Sequence, residues 1–557
     1  MIVSFILAAV TYLSPVHFDV LLSGNFGEPR PNHFHGGLDI KTQQEEGKAV
    51  YSIGDGYVSR VTVNVGGMGN AVYVRHPEGY TSVYAHLQRF APSIEMQVRK
   101  WQYQHKTTDV DITLDATACP VAKGQLIALS GDTGSSMGPH LHLEIHQTDN
   151  WNMLDPLDFM PTLLEDSVSP RAHALMAYPI KGEGNFCGSA EQQCFEFTGF
   201  DITDSLTAWG KVGFGLHADD FMQGSANRYG IRQTTLLVDG EEVFHSEVDN
   251  IPADENKMVN IWGDYDYFIK NHVWFLRSYI LPGNRLSFLK ANASNGIVDF
   301  NQEREYRLTY VLKDFFGNQS EYHFSVNARR DTIPPVAEKG DSLHFERDKE
   351  NECRTEDVSL MVPKGALLDD ARVLLSAKRH RARKSEEYSF SNKSVPLYEK
   401  ASLRIRLTDE VEDTGKLYIA ARRQDKHADL DPDKDDLLFV KGVYNDGWVE
   451  GTVYDIGDTF SIAYDDVSPR IIPVNEREWA KMPLFIFDLK DEQSGISDFE
   501  GYIDGQFVLF DHVKKSSRII CDLRDTPVMP SGQERQLRLL ARDRTGNESV
   551  YDTTILY

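Results

Sequence analysis

The sequence predicts an all-β protein of several modules: a small antiparallel β-sheet domain followed by about three β-sandwich modules. Three observations lead there. Short apolar runs alternate with polar residues at the two-residue period of strands, and glycine-rich turns separate them. A chain of 557 residues is too long for one core, so roughly three to five domains are expected. Two short motifs also recur along the chain where modules would start and end.

Composition narrows the class. A hydrophobic fraction of 41% and a mean hydropathy of -0.41 fit a globular protein, and no apolar run approaches the length of a membrane-spanning helix. The 58 basic and 84 acidic residues give a net charge of -26, which argues against nucleic acid or an anionic membrane surface as partner. Five cysteines are few, and no Cys-x-x-Cys occurs, so a cysteine zinc site is not expected. Cys187 and Cys194 are close enough to close a small loop where the compartment is oxidising.

In chain order, residues 1–12 form a short apolar run of the length of a signal-peptide core, with small residues near its end. It lacks a positive n-region. The reading is a leader whose true start lies upstream, and so export, or else a buried strand. Residues 21–40 are turn-rich and end in His35-Gly36-Gly37-Leu38-Asp39. A His and an Asp four apart can both reach one ion if the chain between them is tight, which Gly36 and Gly37 permit, but a chance His-x-x-x-Asp is the commoner meaning of this motif alone. Strand-like runs follow at 49–53, 57–65, 71–76 and 81–87, joined by glycine turns. Residues 91–118 are polar and read as an irregular insertion. The run 121–130 leads into Gly131-Asp132-Thr133-Gly134-Ser135-Ser136-Met137-Gly138-Pro139-His140-Leu141-His142-Leu143-Glu144-Ile145.

That stretch begins as a glycine-rich loop and ends as a strand. His140, His142 and Glu144 alternate with Leu141, Leu143 and Ile145, the pattern of a half-buried strand with both imidazoles on one face. Two imidazoles on a rigid face can share a metal ion and its water. The glycines point to a close approach of backbone, or of an extended ligand. A His-x-His alone proves little, since 18 histidines produce such triplets by chance and His33-Phe34-His35 is a second one.

His35-x-x-x-Asp39, Tyr84-Ala85-His86-Leu87 and Gly138-Pro139-His140-Leu141-His142-Leu143-Glu144 occur in that order on glycine-punctuated strands. Together with Gly131-Asp132-Thr133-Gly134 they resemble the lysostaphin-type (LytM-like) zinc metallopeptidases, peptidoglycan endopeptidases with a small antiparallel β fold. The resemblance covers about residues 17–160. It implies one zinc ion held by His35, Asp39 and His142, with His86 and His140 as catalytic histidines beside it. His33 matches no ligand position of the family and reads as a loop or outer residue. Two neutral imidazoles and one carboxylate would leave a net positive charge on Zn²⁺ and an open position for water.

The catalytic domain is expected over 13–165. Asp166-Ser167-Val168-Ser169-Pro170 reads as a module start, and the pattern returns as Asp331-Thr332-Ile333-Pro334-Pro335 and Asp466-Val467-Ser468-Pro469. Asp314-Phe315-Phe316-Gly317-Asn318 likewise matches Asp543-Arg544-Thr545-Gly546-Asn547, each just before a last strand. Residues 166–330 and 466–557 are therefore expected to be related immunoglobulin-like β-sandwiches, with a β module of uncertain fold over 331–465. In that segment the basic run 377–384 reads as a solvated loop, and the acidic run 429–436 lacks the spacing of an EF-hand and reads as an exposed loop.

The resemblance implies an exported peptidoglycan hydrolase of the periplasm or cell envelope that acts on stem peptides, with β modules that position the domain or meet cell-envelope proteins. The alternative is a catalytically silent, peptidoglycan-binding or amidase-activating relative. Such relatives lose zinc ligands, whereas every position is filled here.

Overall fold

The computed structural model describes residues 11–335, 342–423, 437–479 and 481–557. Most of the leader and the whole acidic run 429–436 lie outside the described residues. The protein is all-β: the N-terminal domain and the last two modules each have two or more sheets, and the first β module is built on one connected ten-stranded sheet. Among the described residues no helix is long and apolar enough to cross a membrane.

The N-terminal domain is built on an antiparallel sheet. Its strands run in the order Leu22–Gly24, Gly37–Lys41, His140–Gln147, Tyr80–Ala85, Ala71–Arg75, Gly56–Val63 and Val110–Thr113. A smaller sheet of Ala49–Tyr51, Leu126–Ser130 and Leu87–Phe90 packs beside it. Leu38, Ile40, Val72, Val74, Tyr84, Leu141, Leu143 and Ile145 fill the core between them and are fully buried. Alternation puts these apolar residues on one face and leaves His140, His142 and Glu144 for the other.

Two expectations fail here. The strand His140–Gln147 is not half-buried: His142, Glu144 and His146 on its polar face are 4%, 5% and 3% exposed. The next module reaches over that face. Asn256 accepts from the Phe34 N–H at 2.7 Å, and Asn260 accepts from the Asn32 N–H at 3.0 Å. Residues 91–118 are not irregular either. Pro92–His105 is an α-helix, followed by the edge strand Val110–Thr113. Pro92 opens the helix, where its missing N–H costs nothing. Ile94, Val98 and Gln102 form its buried stripe, and Lys106 ends it in the left-handed region. With only two strongly apolar residues in the buried stripe, the helical period is faint in the sequence.

The first β module carries the long pair Arg171–Phe186 and Leu206–Asp219 in a large sheet. It also contains short helices at Val259–Trp262 and Tyr265–Asn271. Its hydrophobic core includes Phe26, Phe34 and Met153 of the N-terminal domain, while Met222 and Tyr229 enter the N-terminal core. The next module packs two five-stranded sheets around Phe345, Leu360, Leu403, Ile419 and Phe460. The basic run 377–384 contains part of a paired strand there, Ser376–Arg379, which is exposed as a solvated segment would be. The last module packs two four-stranded sheets around Phe485, Phe487, Leu537 and Leu539. This module folds back onto the N-terminal domain: Arg99 meets Asp511 at 3.2 Å and Lys515 meets Asp132 at 2.6 Å. No disulfide joins Cys187 to Cys194, and all five cysteines are free.

Candidate active site

Strand pairing brings the separated motifs together. His142 lies opposite Asp39 on one neighbouring strand and opposite Ala85 on the other. His86 therefore follows directly from the strand beside His142. It does so with a φ of 59°, a left-handed conformation that costs a non-glycine residue about 1 kcal/mol or more. Its N–H donates to the Met68 carbonyl at 3.0 Å. The loops on this side touch backbone to backbone. A Cβ on Gly134 would lie 2.4 Å from the Gly69 nitrogen, so the glycine-rich approach is chain against chain.

Three atoms converge at the centre. His35 Nε2 lies 3.0 Å from Asp39 Oδ1 and 3.0 Å from His142 Nδ1, and His142 Nδ1 lies 2.8 Å from Asp39 Oδ1. The other ring nitrogens are committed. His35 Nδ1–H donates to the Asn25 carbonyl at 2.5 Å, and His142 Nε2–H donates to Glu144 Oε1 at 2.9 Å. The His35 and His142 lone pairs therefore point at each other and at a carboxylate oxygen. That arrangement is repulsive unless a cation or a proton sits among the three. The donor set, two imidazoles and one carboxylate, is the set that suits zinc.

The surroundings reinforce it. Arg30 pairs with the second Asp39 oxygen at 2.8 Å and leaves Oδ1 for the centre. Burial would raise the Asp39 carboxyl, but His35, His140 and His142 hold it well below the usual carboxylate range. Burial alone would lower His142, yet Asp39 and Glu144 push it up to about 9, the proton taking the place of a metal. Glu144 is held well below its usual range against burial, because His142 and His146 both donate to it.

His86 and His140 stand beside the three, with ring centroids 4.8 Å apart. His86 Nδ1–H donates to the Thr133 carbonyl and His140 Nδ1–H to the Gly138 carbonyl, both at 2.8 Å. Each Nε2 is thus left uncommitted to the backbone, and that of His140 lies 3.4 Å from Asp39 Oδ1. Burial, with His142 and His140 nearby, lowers His86 to about 4. A groove of about 480 Å³ opens over the centre, walled by Met68, Trp151, Met153 and Asn256. His33 lines it but points Nδ1 at the Pro31 carbonyl and not at the centre.

All five residues expected at the site thus lie together. The expectations missed Glu144 and His146 behind His142, Arg30 behind Asp39, and the wall from the next module. Glu144 was findable, two residues beyond His142 on the same strand face. Residues 33–103 match the family profile described as Peptidase family M23. The N-terminal domain belongs to peptidase family M23. The profile match takes in His35, Asp39 and His86 of this M23 domain. Residues 342–465 match the profile of a Zu5-like domain.

Two curated relatives resemble part of the chain. One is described as an uncharacterized metalloprotease of Haemophilus influenzae, 36% identical over 22% of this chain and 19% of its own length. The other is peptidoglycan DD-endopeptidase ShyA of Vibrio cholerae, 33% identical over 24% of this chain and 26% of its own length. The matches thus span about a fifth to a quarter of these relatives. The catalytic domain of lysostaphin from Staphylococcus simulans is 22% identical, over 25% of this chain and 90% of that one, with a TM-score of 0.19.

Proposed function

We propose that this chain is a zinc-dependent endopeptidase that hydrolyses peptide cross-links of bacterial peptidoglycan and works, after export, in the cell envelope. The observation that carries the reading is the convergence of two imidazole lone pairs and one carboxylate oxygen, with two further imidazoles beside them. The M23 profile and the named activity of the Vibrio relative favour peptidoglycan as the substrate class.

His35 Nε2, Asp39 Oδ1 and His142 Nδ1 are the atoms that would hold zinc. A zinc ion there supplies Lewis-acid polarisation of the scissile carbonyl and of an attacking water. Glu144 fixes the His142 tautomer by taking its Nε2 proton in a hydrogen bond, and Arg30 keeps the Asp39 carboxylate turned inward. With their Nδ1 atoms held by the Thr133 and Gly138 carbonyls, His86 and His140 keep Nε2 for the reaction, so either can take a proton from the attacking water. Once protonated, the imidazole donates to the developing oxyanion and then to the leaving amine. Met68, Trp151 and Met153 give the groove an apolar wall beside these exchanges.

The test is digestion of purified, cross-linked peptidoglycan by the full chain, with mass analysis of the fragments. Conversion of cross-linked dimers to monomers, abolished by a chelator and restored by zinc, is expected. A zinc-replete, folded chain that leaves every dimer intact would overturn the proposal.

A further inference from the structure

Two carboxylate clusters lie outside the active site, and both sit where one module joins another. Asp166 belongs to the linker that leaves the M23 domain, Asp220 follows the strand Leu206–Asp219, and Asp314 opens the turn before Gln319–Ala328. One oxygen from each falls within 4.8 Å of the others. Asp465, Asp491 and Asp543 meet the same limit. They occupy the corresponding places: the end of the third module, the residue after Leu484–Lys490, and the turn before Glu548–Leu556.

The two corners share three sets of bonds. Asp166 accepts from the Val168 N–H and Asp465 from the Val467 N–H, both at 3.1 Å. Asn318 bridges Asp314 to the Asp166 carbonyl, and Asn547 bridges Asp543 to the Asp465 carbonyl. Ser320 donates to the Pro170 carbonyl, and Ser549 to the Pro469 carbonyl.

Turn capping accounts for part of each cluster and leaves a remainder. Asp220 is 2% exposed, and its Oδ1 has no hydrogen-bond partner among the described residues. Asp166 Oδ2 is buried without a partner as well. At the second corner the unpartnered buried atom is Ser494 Oγ, on the residue whose N–H donates to Asp465. Among the described residues no Lys or Arg pairs with any of the six carboxylates. Arg228 goes to the neighbouring Asp219, and Lys416 goes to the Thr545 carbonyl.

Two buried carboxylates and a half-buried third without a counter-charge are costly, so a proton or a cation has to join them. Burial, with Asp314 and Asp166 alongside, pushes Asp220 up to about 8. The donors are all oxygen, with no imidazole or thiolate, which selects a hard cation over zinc. Calcium binds oxygens at about 2.4 Å, so two of its ligands can stand no more than about 4.8 Å apart. Turn-borne carboxylates suit its flexible coordination better than the strict octahedron of magnesium.

We infer that Asp166, Asp220 and Asp314 form a calcium site at the junction of the M23 domain and the first β module, and that Asp465, Asp491 and Asp543 form its equivalent before the last module. Each ion ties the incoming linker to two turns of the module that follows. The first site fixes how that module stands on the M23 domain, where Phe315 and Phe316 pack against the domain core.

Calorimetric titration of the zinc-loaded full chain with calcium chloride tests this. Two equivalents are expected to bind, with Kd on the order of 10⁻⁵ to 10⁻³ M. Asp220→Asn should remove one equivalent and Asp491→Asn the other, and calcium should raise the unfolding midpoint less in each variant than in the parent. No saturable calcium uptake, uptake unchanged in both variants, or preference for magnesium would overturn the inference. Should a variant fail to fold, equilibrium dialysis of the unaltered chain decides: two bound calcium ions per chain support the sites, and none refutes them.

Discussion

The His35–Asp39–His142 centre and the Asp166–Asp220–Asp314 corner each gather three ligand atoms within the reach of one ion, yet they are built in opposite ways. The first is set on paired strands. Register fixes His142 against Asp39, His35 lies in the short turn just before the Asp39 strand, and each of the three is held from behind by Asn25, Arg30 or Glu144. The second is set on two turns of the first β module and the linker that enters it, and Asp166 and Asp220 keep unsatisfied oxygens. Strand register gives the rigidity a reaction needs. Turn-borne carboxylates give a joint whose order depends on what fills it.

The largest effect that sharpens this contrast is expected at His142. His142→Ala should remove zinc from the domain and reduce peptidoglycan hydrolysis to background, while circular dichroism and the unfolding midpoint stay close to those of the parent. If the fold collapses with the zinc, the centre is no more self-supporting than the corner. Glu144→Gln comes next. It keeps the shape but weakens the hold on the His142 tautomer, so zinc affinity or turnover should fall by about 10–100-fold. A zinc-competition titration alongside the digestion assay reads both. Loss below twofold in both would mean that the carboxylate only satisfies buried imidazoles.

Much of the rigid half was legible in the chain. The alternation of His140, His142 and Glu144 with Leu141, Leu143 and Ile145 encodes both the strand and the face. His35 and Asp39 could be placed only through the ordered set of motifs they form with His86, His140 and His142, since a His-x-x-x-Asp alone is common by chance. What stayed hidden depends on contacts far apart in sequence. Nothing local to 253–260 says that Asn256 and Asn260 will cap the backbone at Phe34 and Asn32. The helix Pro92–His105 hid for a different reason, since its buried stripe includes the polar Gln102. The repeated Asp…Pro and Asp…Gly-Asn motifs were visible as punctuation. That they converge on one point follows only from the docking of turns onto the linker.

A smaller effect is expected at the junction itself. Arg232 of the first β module pairs with Asp155 of the M23 domain at 2.6 Å, and both side chains are largely buried. Burial pushes Asp155 up to about 6 even though Arg232 opposes it. Arg232→Ala leaves that carboxylate alone and should destabilise the chain by about 3 kcal/mol. The sign with pH follows. The folded chain then holds the Asp155 proton to higher pH than the unfolded chain does, so stability falls as pH rises above about 4. Unfolding midpoints of variant and parent should converge toward pH 4 and separate above pH 6. Adding Asp155→Asn to Arg232→Ala should remove the pH-dependent part. A deficit that does not change with pH would place the loss in packing against Phe315, over which Arg232 lies.

The smallest effect is expected where the last module returns to the M23 domain. Lys515 reaches Asp132 at 2.6 Å, but the lysine is 42% exposed. Such a pair is screened by water and salt, so Lys515→Ala should cost no more than about 1 kcal/mol. Its interest lies in position. Asp132 precedes Thr133, whose carbonyl holds the His86 ring. If strand register alone sets the active site, turnover should stay within about twofold, a change of ~0.4 kcal/mol in the barrier. A change of tenfold or more, with zinc content unaltered, would show that the last module acts through the 131–134 loop on His86. The contrast would then fail at its rigid end, because one residue of the strand-built site would depend on a docked module as the corner does.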